Sequence, residues 1–159
     1  MAVGWNWTHR AVNPNPSFTL PPIDLLVVEK SQRLMRAYSA GKLVHSFKGI
    51  QLGDAPVGQK QFEGDEKTPE GHYVIDYRNP HSRYHLSLHI SYPDAAAKAA
   101  AAAQGRNPGG DVFIHGQPNS LPIGRVPGDW TNGCIALSND EIEALWLAVK
   151  DSVLIEIRP

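Results

Sequence analysis

The sequence predicts a mostly β domain with two helices, and three observations carry that prediction. Short apolar runs of strand length recur along the chain, separated by clusters of glycine, proline, asparagine and serine. Only two segments, 94–104 and the stretch beginning at Ser138, carry helical signals. Two long loops, 49–71 and 116–130, interrupt the strands, and loops of that length in a small domain are often functional.

The chain has 159 residues, enough for one domain to bury a core without disulfides or metal. Residues 1–22 hold Trp5, Trp7, Pro14, Pro16, Pro21 and Pro22 and read as an irregular arm. The domain proper spans 23–159. It opens with an apolar strand at 24–29. Runs 33–38 and 42–47 flank Ser39-Ala40-Gly41, a hairpin signature with glycine in the connection. Within the first long loop, Thr68-Pro69-Glu70-Gly71 fits a type I turn. Strands follow at 72–77 and 84–90. In the second, Tyr84, Leu86, Leu88 and Ile90 alternate with His85, Ser87 and His89.

The alanine-rich stretch 94–104 reads as a surface helix stopped by Gly105. Residues 111–115 form a strand. Ser138-Asn139-Asp140-Glu141 is a capping box that starts the second helix. Ile142, Leu145, Trp146 and Val149 share one helical face, so Trp146 reads as core rather than as a substrate platform. A last strand lies at 152–157. The two long loops are expected to border one cleft.

Net charge is −1 and the sequence pI is about 6.6. Without a basic patch, nucleic acid is excluded as a partner. No apolar run has the length of a membrane span. No signal-type apolar block occurs in residues 1–22, so if the protein is exported its signal is missing from this chain or has been removed.

The chemistry gathers around Cys134, the one cysteine, in Thr131-Asn132-Gly133-Cys134-Ile135. His115 lies upstream in Phe113-Ile114-His115-Gly116. A lone cysteine is by default a small buried hydrophobe. Here turn chemistry precedes it, a short apolar run follows it, and each candidate sits where strand meets loop. A thiol needs a base, because it ionises near pH 8.5 and only the thiolate attacks. An imidazole takes that proton and later returns it to a leaving amine. The backbone N–H groups of Asn132, Gly133 and Cys134 are candidate donors for the oxyanion.

These segments carry a resemblance. Ile114-His115-Gly116 followed by Thr131-Asn132-Gly133-Cys134-Ile135 resembles the signature of the L,D-transpeptidase catalytic domain, the YkuD-type family. Residues 60–73 and 85–93 are similar to two further landmarks of that family. The resemblance implies a β-sandwich-like domain with a cradle for the cysteine. It implies a peptidoglycan peptide stem as substrate, attacked by Cys134 after its third residue with expulsion of D-alanine. His115 would be base and then acid, with the Gly116 carbonyl orienting its ring. The thioester would pass to an amine of another stem or of a lipoprotein. No cofactor or metal is implied, and the substrate implies a periplasmic or cell-envelope location. Two positions depart from the commonest pattern: Asn132 replaces a histidine, and Ala136 replaces arginine or asparagine. A branch with Cys-x-Ala is associated with hydrolysis, so water is the alternative acceptor.

Other candidates are weighed beside these. His85 and His89 stand four apart on a strand, about 13 Å along the chain, too far for two metal ligands. They line the substrate cleft or are simply solvated. Arg125 and Lys60 are candidate partners for stem carboxylates, against the plainer reading of solvated surface charge. Trp130 walls the cleft or packs. Thr131 donates toward the oxyanion or fixes the turn. Two different functions stay open: a peptidoglycan-binding module without catalysis, and a cytoplasmic cysteine hydrolase.

Overall fold

A computed structural model of the protein describes residues 11–159. Eight strands and two helices follow one another as β1 (Ile23–Glu29), β2 (Leu34–Ser39), β3 (Lys42–Lys48), β4 (Gly71–Asn79), β5 (Ser87–Ile90), α1 (Ala95–Ala102), β6 (Phe113–His115), β7 (Ile135–Ala136), α2 (Asn139–Ala148) and β8 (Val149–Arg158). The mostly β prediction holds, as does the number of helices.

All eight strands join one sheet in the order β3-β2-β1-β8-β4-β5-β6-β7. Its centre is the parallel pair of β1 and β8. β8 alternates Val153, Ile155 and Ile157 into the core, whereas β1 buries Leu26, Val27 and Val28 in succession. The β2–β3 hairpin turns through Ala40 (φ 49°) and Gly41 (φ 78°). Two left-handed residues give a turn whose twist matches the strands. The chain leaving β3 then crosses to the far end of the ladder, where Gln51 bridges Ala136 and Gly53 bridges Thr131. The sheet therefore curls on itself, and the sandwich-like form arises from one continuous sheet.

α2 closes the core. Ser138 accepts from the Glu141 N–H while Glu141 accepts from the Ser138 N–H, the predicted capping box. Ile142 and Leu145 are fully buried. Trp146 packs partly against the core under the Arg78 guanidinium, 4.9 Å above its ring. α1 is mostly exposed, as predicted, and is capped by Asp94, whose side chain accepts from the Ala97 N–H.

Three expectations change. Thr68-Pro69-Glu70-Gly71 is no turn: the segment runs extended into β4, and the turn falls at residues 62–65. The reason is that Thr68 is wholly buried and bonded behind the site. The strand read as 84–90 starts only at Ser87, because His85 adopts a left-handed conformation (φ 73°). The strand read as 111–115 starts at Phe113, since Asp111 is also left-handed (φ 52°).

Trp5 and Trp7 lie outside the described residues. The later part of the arm packs on the domain: Phe18 stacks on His45 with 5.0 Å between ring centroids, and Ser17 N–H donates to Asp140 at 2.7 Å. Among the described residues, no helix is long and apolar enough to cross a membrane.

Candidate active site

The short parallel pairing of β6 with β7 sets Ile114 beside Ile135 and His115 beside Ala136. Extending that register puts Phe113 beside Cys134. Side chains at alternate positions share a face, so Cys134, Phe113 and His115 all open into one groove of about 590 Å³. Trp130, Tyr84 and Asp111 also line it.

Cys134 is half-buried. The Phe113 N–H donates to its Sγ at 3.4 Å, and the thiol donates to the Asp111 carbonyl at 3.4 Å. His115 is only 2% exposed. Its Nδ1 lies 2.7 Å from the Gly116 carbonyl. A carbonyl only accepts, so Nδ1 carries the proton and Nε2 is the ring nitrogen with a free lone pair. Tyr84 stacks on the imidazole at 4.4 Å, and Trp130 stands 5.6 Å from both rings. Trp130 is itself held by donation of Nε1–H to Gln51 at 3.1 Å.

The turn that carries Cys134 is braced from behind. The Thr131 hydroxyl donates to the Cys134 carbonyl at 2.7 Å and accepts from the Gly133 N–H at 3.2 Å. Thr131 thus fixes the turn, and of the three candidate oxyanion amides Gly133 is already engaged. Thr68 Oγ1 donates to the Gly133 carbonyl at 2.8 Å. The buried Lys30 ammonium donates to the Thr68 and Gly58 carbonyls at 2.9 and 2.8 Å and meets Glu70 at 2.9 Å. On the other flank Arg33 pairs with Asp129 at 2.7 Å, while Asp129 accepts from the Leu52 N–H. A Cβ at Gly116 would stand 2.6 Å from Asn139 Oδ1 and 2.9 Å from His85 Cβ, so any other residue there would force its neighbours to shift.

The first long loop therefore does not border the cleft. Its 66–68 segment backs the turn that carries Cys134, and the second loop contributes only Trp130 to the groove. The opposite wall is instead the β4–β5 connection, Asn79 to Tyr84.

Asn132 is exposed at the groove. Four other candidates stand elsewhere. His85 turns away through its left-handed backbone and pairs with Glu143 on α2 at 3.0 Å. His89 bonds Asp76 at 2.6 Å and stacks on Tyr77, behind Phe113. Arg125 donates to the Gly49 carbonyl and pairs with the capping-box Glu141. Lys60 is buried and pairs with Asp65 at 2.9 Å, locking its own loop. Each is committed to a structural partner and none lines the groove. Among the described residues, no three acidic, histidine or cysteine side chains gather to hold a metal.

Sequence reasoning missed Tyr84, because strict alternation assigned it to the core face. Its phenol among leucines was the available signal, since a buried hydroxyl demands a partner. Thr68 was hidden behind a plausible turn pattern.

Burial sets the charge state. It lowers the His115 pKa from 6.5 to about 4, although the Gly116 carbonyl opposes this. It raises that of Cys134 from 9.0 to about 11, helped by Asp111 and opposed by the Phe113 N–H and Lys60. The resting pair is a neutral thiol and a neutral imidazole. An attack by this thiol would need proton transfer to accompany it rather than precede it. Alkylation of Cys134 by iodoacetamide is expected to rise about tenfold per pH unit between pH 7 and 10. A plateau below pH 9 would instead reveal a standing thiolate. Stability follows the same shift. A depressed folded pKa gives His115 a contribution that is full above pH 6.5 and lost as pH falls toward 4, about 3 kcal/mol in all. Urea melts of wild type and His115→Gln between pH 7 and 4 measure it: the variant's slope should be shallower.

The model of the YkuD L,D-transpeptidase catalytic domain matches residues 23–157. YafK of Escherichia coli strain K12 is 29% identical over 100 residues, which are 62% of this chain and 34% of YafK. Among solved structures, the helical cell shape determining protein Pgp2 from Campylobacter jejuni superposes with a TM-score of 0.67 at 28% identity. That match covers 97% of this chain and 54% of the Pgp2 chain. An L,D-transpeptidase from Mycobacterium tuberculosis shares the fold, with a TM-score of 0.53 at 17% identity over 87% of this chain and 58% of that one. The chain thus spans about a third of YafK and about half of the Pgp2 chain.

Proposed function

Because the chain belongs to the L,D-transpeptidase catalytic-domain (YkuD) family, which acts on peptidoglycan stems, we propose that it cleaves the stem peptide through a thioester on Cys134. The sulfur attacks the carbonyl of the third stem residue, while His115 Nε2 takes the thiol proton. His115 then returns that proton to the departing nitrogen, and D-alanine leaves. The acyl group passes to an amine of another stem or of a lipoprotein, or to water.

The observation that carries this reading is the shared groove: the thiol and the imidazole with its free Nε2 open into one space wide enough for a peptide. Trp130 and Tyr84 keep the imidazole oriented and partly dry. The amides of Asn132 and Cys134 are the proposed oxyanion donors, the Gly133 N–H being engaged with Thr131. Likeness to a protein that determines helical cell shape supports a wall substrate. The work belongs in the periplasm or cell envelope.

Hydrolysis is the second reading, and Ala136 favours it. Its methyl is fully buried, and its N–H and carbonyl both pair with Gln51. That position offers no polar side chain to hold a second stem. Mass spectrometry after incubation with tetrapeptide-bearing muropeptides separates the outcomes. Loss of D-alanine with a dimer means transfer, loss without a dimer means hydrolysis, and no loss rejects the proposal.

A further inference from the structure

Among the described residues, one cation that lines the groove has no protein partner. Arg83 lines it, and its side chain makes no hydrogen bond, ion pair or ring contact among the described residues. Every other arginine among them is engaged. Arg33, Arg36, Arg125 and Arg158 pair with carboxylates, and Arg78 with backbone carbonyls. Arg106 lies over the Phe62 ring. A guanidinium left open on a catalytic groove is a ready bidentate site for a carboxylate.

The strand register indicates which carboxylate. β5 and β6 pair antiparallel with Ser87 beside His115, and the Asn119 N–H donates to the Arg83 carbonyl at 2.9 Å. Arg83 therefore sits beyond the histidine end of β6. Asp111, the one acidic side chain lining the groove, precedes β6 at the sulfur end. By backbone register the order is Asp111, Cys134, His115, Arg83. In acyl transfer the carbonyl carbon binds to sulfur and the departing amine lies at the acid that protonates it. The expelled residue thus extends from His115 toward Arg83. When that residue is the chain terminus, its carboxylate carbon is only about 2.5 Å from the amine nitrogen, so the carboxylate stays close to the histidine end of the groove, which Arg83 also lines.

We infer that Arg83 is a specificity residue that binds the terminal carboxylate of the departing amino acid. It makes the domain select stems with a free C-terminus one residue beyond the cleaved bond. Stems extended or blocked there leave the guanidinium without its partner. The inference rests on the thioester reading above, so its test uses binding rather than turnover.

The experiment measures, by calorimetry, the affinity of Cys134→Ala protein for two probes. Both are stem tetrapeptides ending in D-alanine, one a free acid and one a C-terminal carboxamide. The acid should bind about 10- to 100-fold more tightly, the range of a charge-assisted bidentate contact. Adding Arg83→Gln should bring the two within about twofold, and Arg83→Lys should restore part of the preference. An unaltered melting temperature shows that Arg83→Gln folds. A preference that survives Arg83→Gln overturns the inference, as does equal affinity or no binding of either probe while Arg83 is present. Failure of the thioester reading shows separately, as absent D-alanine release by the unmodified protein.

Discussion

Cys134→Ala should reduce D-alanine release from a tetrapeptide stem to the background of the assay, and His115→Gln should cost about 10²–10⁴-fold in kcat/KM. The two effects differ because the groups differ in kind. Without sulfur no thioester forms, whereas without the imidazole a thiol still attacks slowly from its small ionised fraction. With the thiol raised to about 11, that fraction at pH 7 is on the order of 10⁻⁴. The histidine variant should therefore regain rate with rising pH, and Cys134→Ala should not. The double variant should be no worse than Cys134→Ala alone, because the two residues act as one unit. Folding is not at stake at position 134, where a half-buried thiol becomes a methyl. At 115, glutamine keeps an amide donor for the Gly116 carbonyl, which now accepts from Nδ1 at 2.7 Å. Turnover by Cys134→Ala equal to wild type would reject the nucleophile assignment.

Much of this site was legible in the sequence because its signals are local. Ser138 and Glu141 name a helix start by themselves, and Gly133-Cys134 after a run of turn residues marks a cysteine held at a turn rather than within a strand. Ser39-Ala40-Gly41 likewise closes the hairpin it predicted. What escaped depends on contacts between distant segments. Thr68 matched a turn pattern, yet a hydrogen bond to Gly133, 65 residues away, holds it extended. Strict alternation from Tyr84 to Ile90 is broken by one left-handed residue, His85. That single dihedral moves Tyr84 from the core into the groove and sends His85 to α2. Arg125 and Lys60 looked available because their acceptors, a capping-box glutamate and an aspartate turn, are assembled only by folding. Charge near a site in sequence says little until its partners are known, and Arg83 differs from the other arginines in having none among the described residues.

Gly133→Ala should damage this protein severely, because it combines backbone strain with a backbone collision. Gly133 has φ 122°, a backbone state that L side chains rarely adopt. Alanine there carries strain of about 1–3 kcal/mol. Sterics add to it, since the new Cβ would stand 2.6 Å from the Lys67 carbonyl oxygen and 3.3 Å from its carbon. That obstacle is backbone and cannot rotate aside. Nor can its segment retreat, because Lys30 holds the Thr68 carbonyl from one side while Thr68 Oγ1 ties the same stretch to Gly133. The nucleophile turn must move instead, and Cys134 moves with it. A misplacement of about 1 Å costs about 10²-fold in rate. The expected result is a stability loss of about 3 kcal/mol or more in urea, with D-alanine release and thiol alkylation both altered. Gly124→Ala separates strain from collision: Gly124 also has positive φ (82°), but its Cβ would meet nothing within 4 Å. It should lose only about 1 kcal/mol and keep its activity. If Gly133→Ala proves no worse than Gly124→Ala on both measures, the bracing of the nucleophile from residues 66–68 is not what holds the sulfur in place.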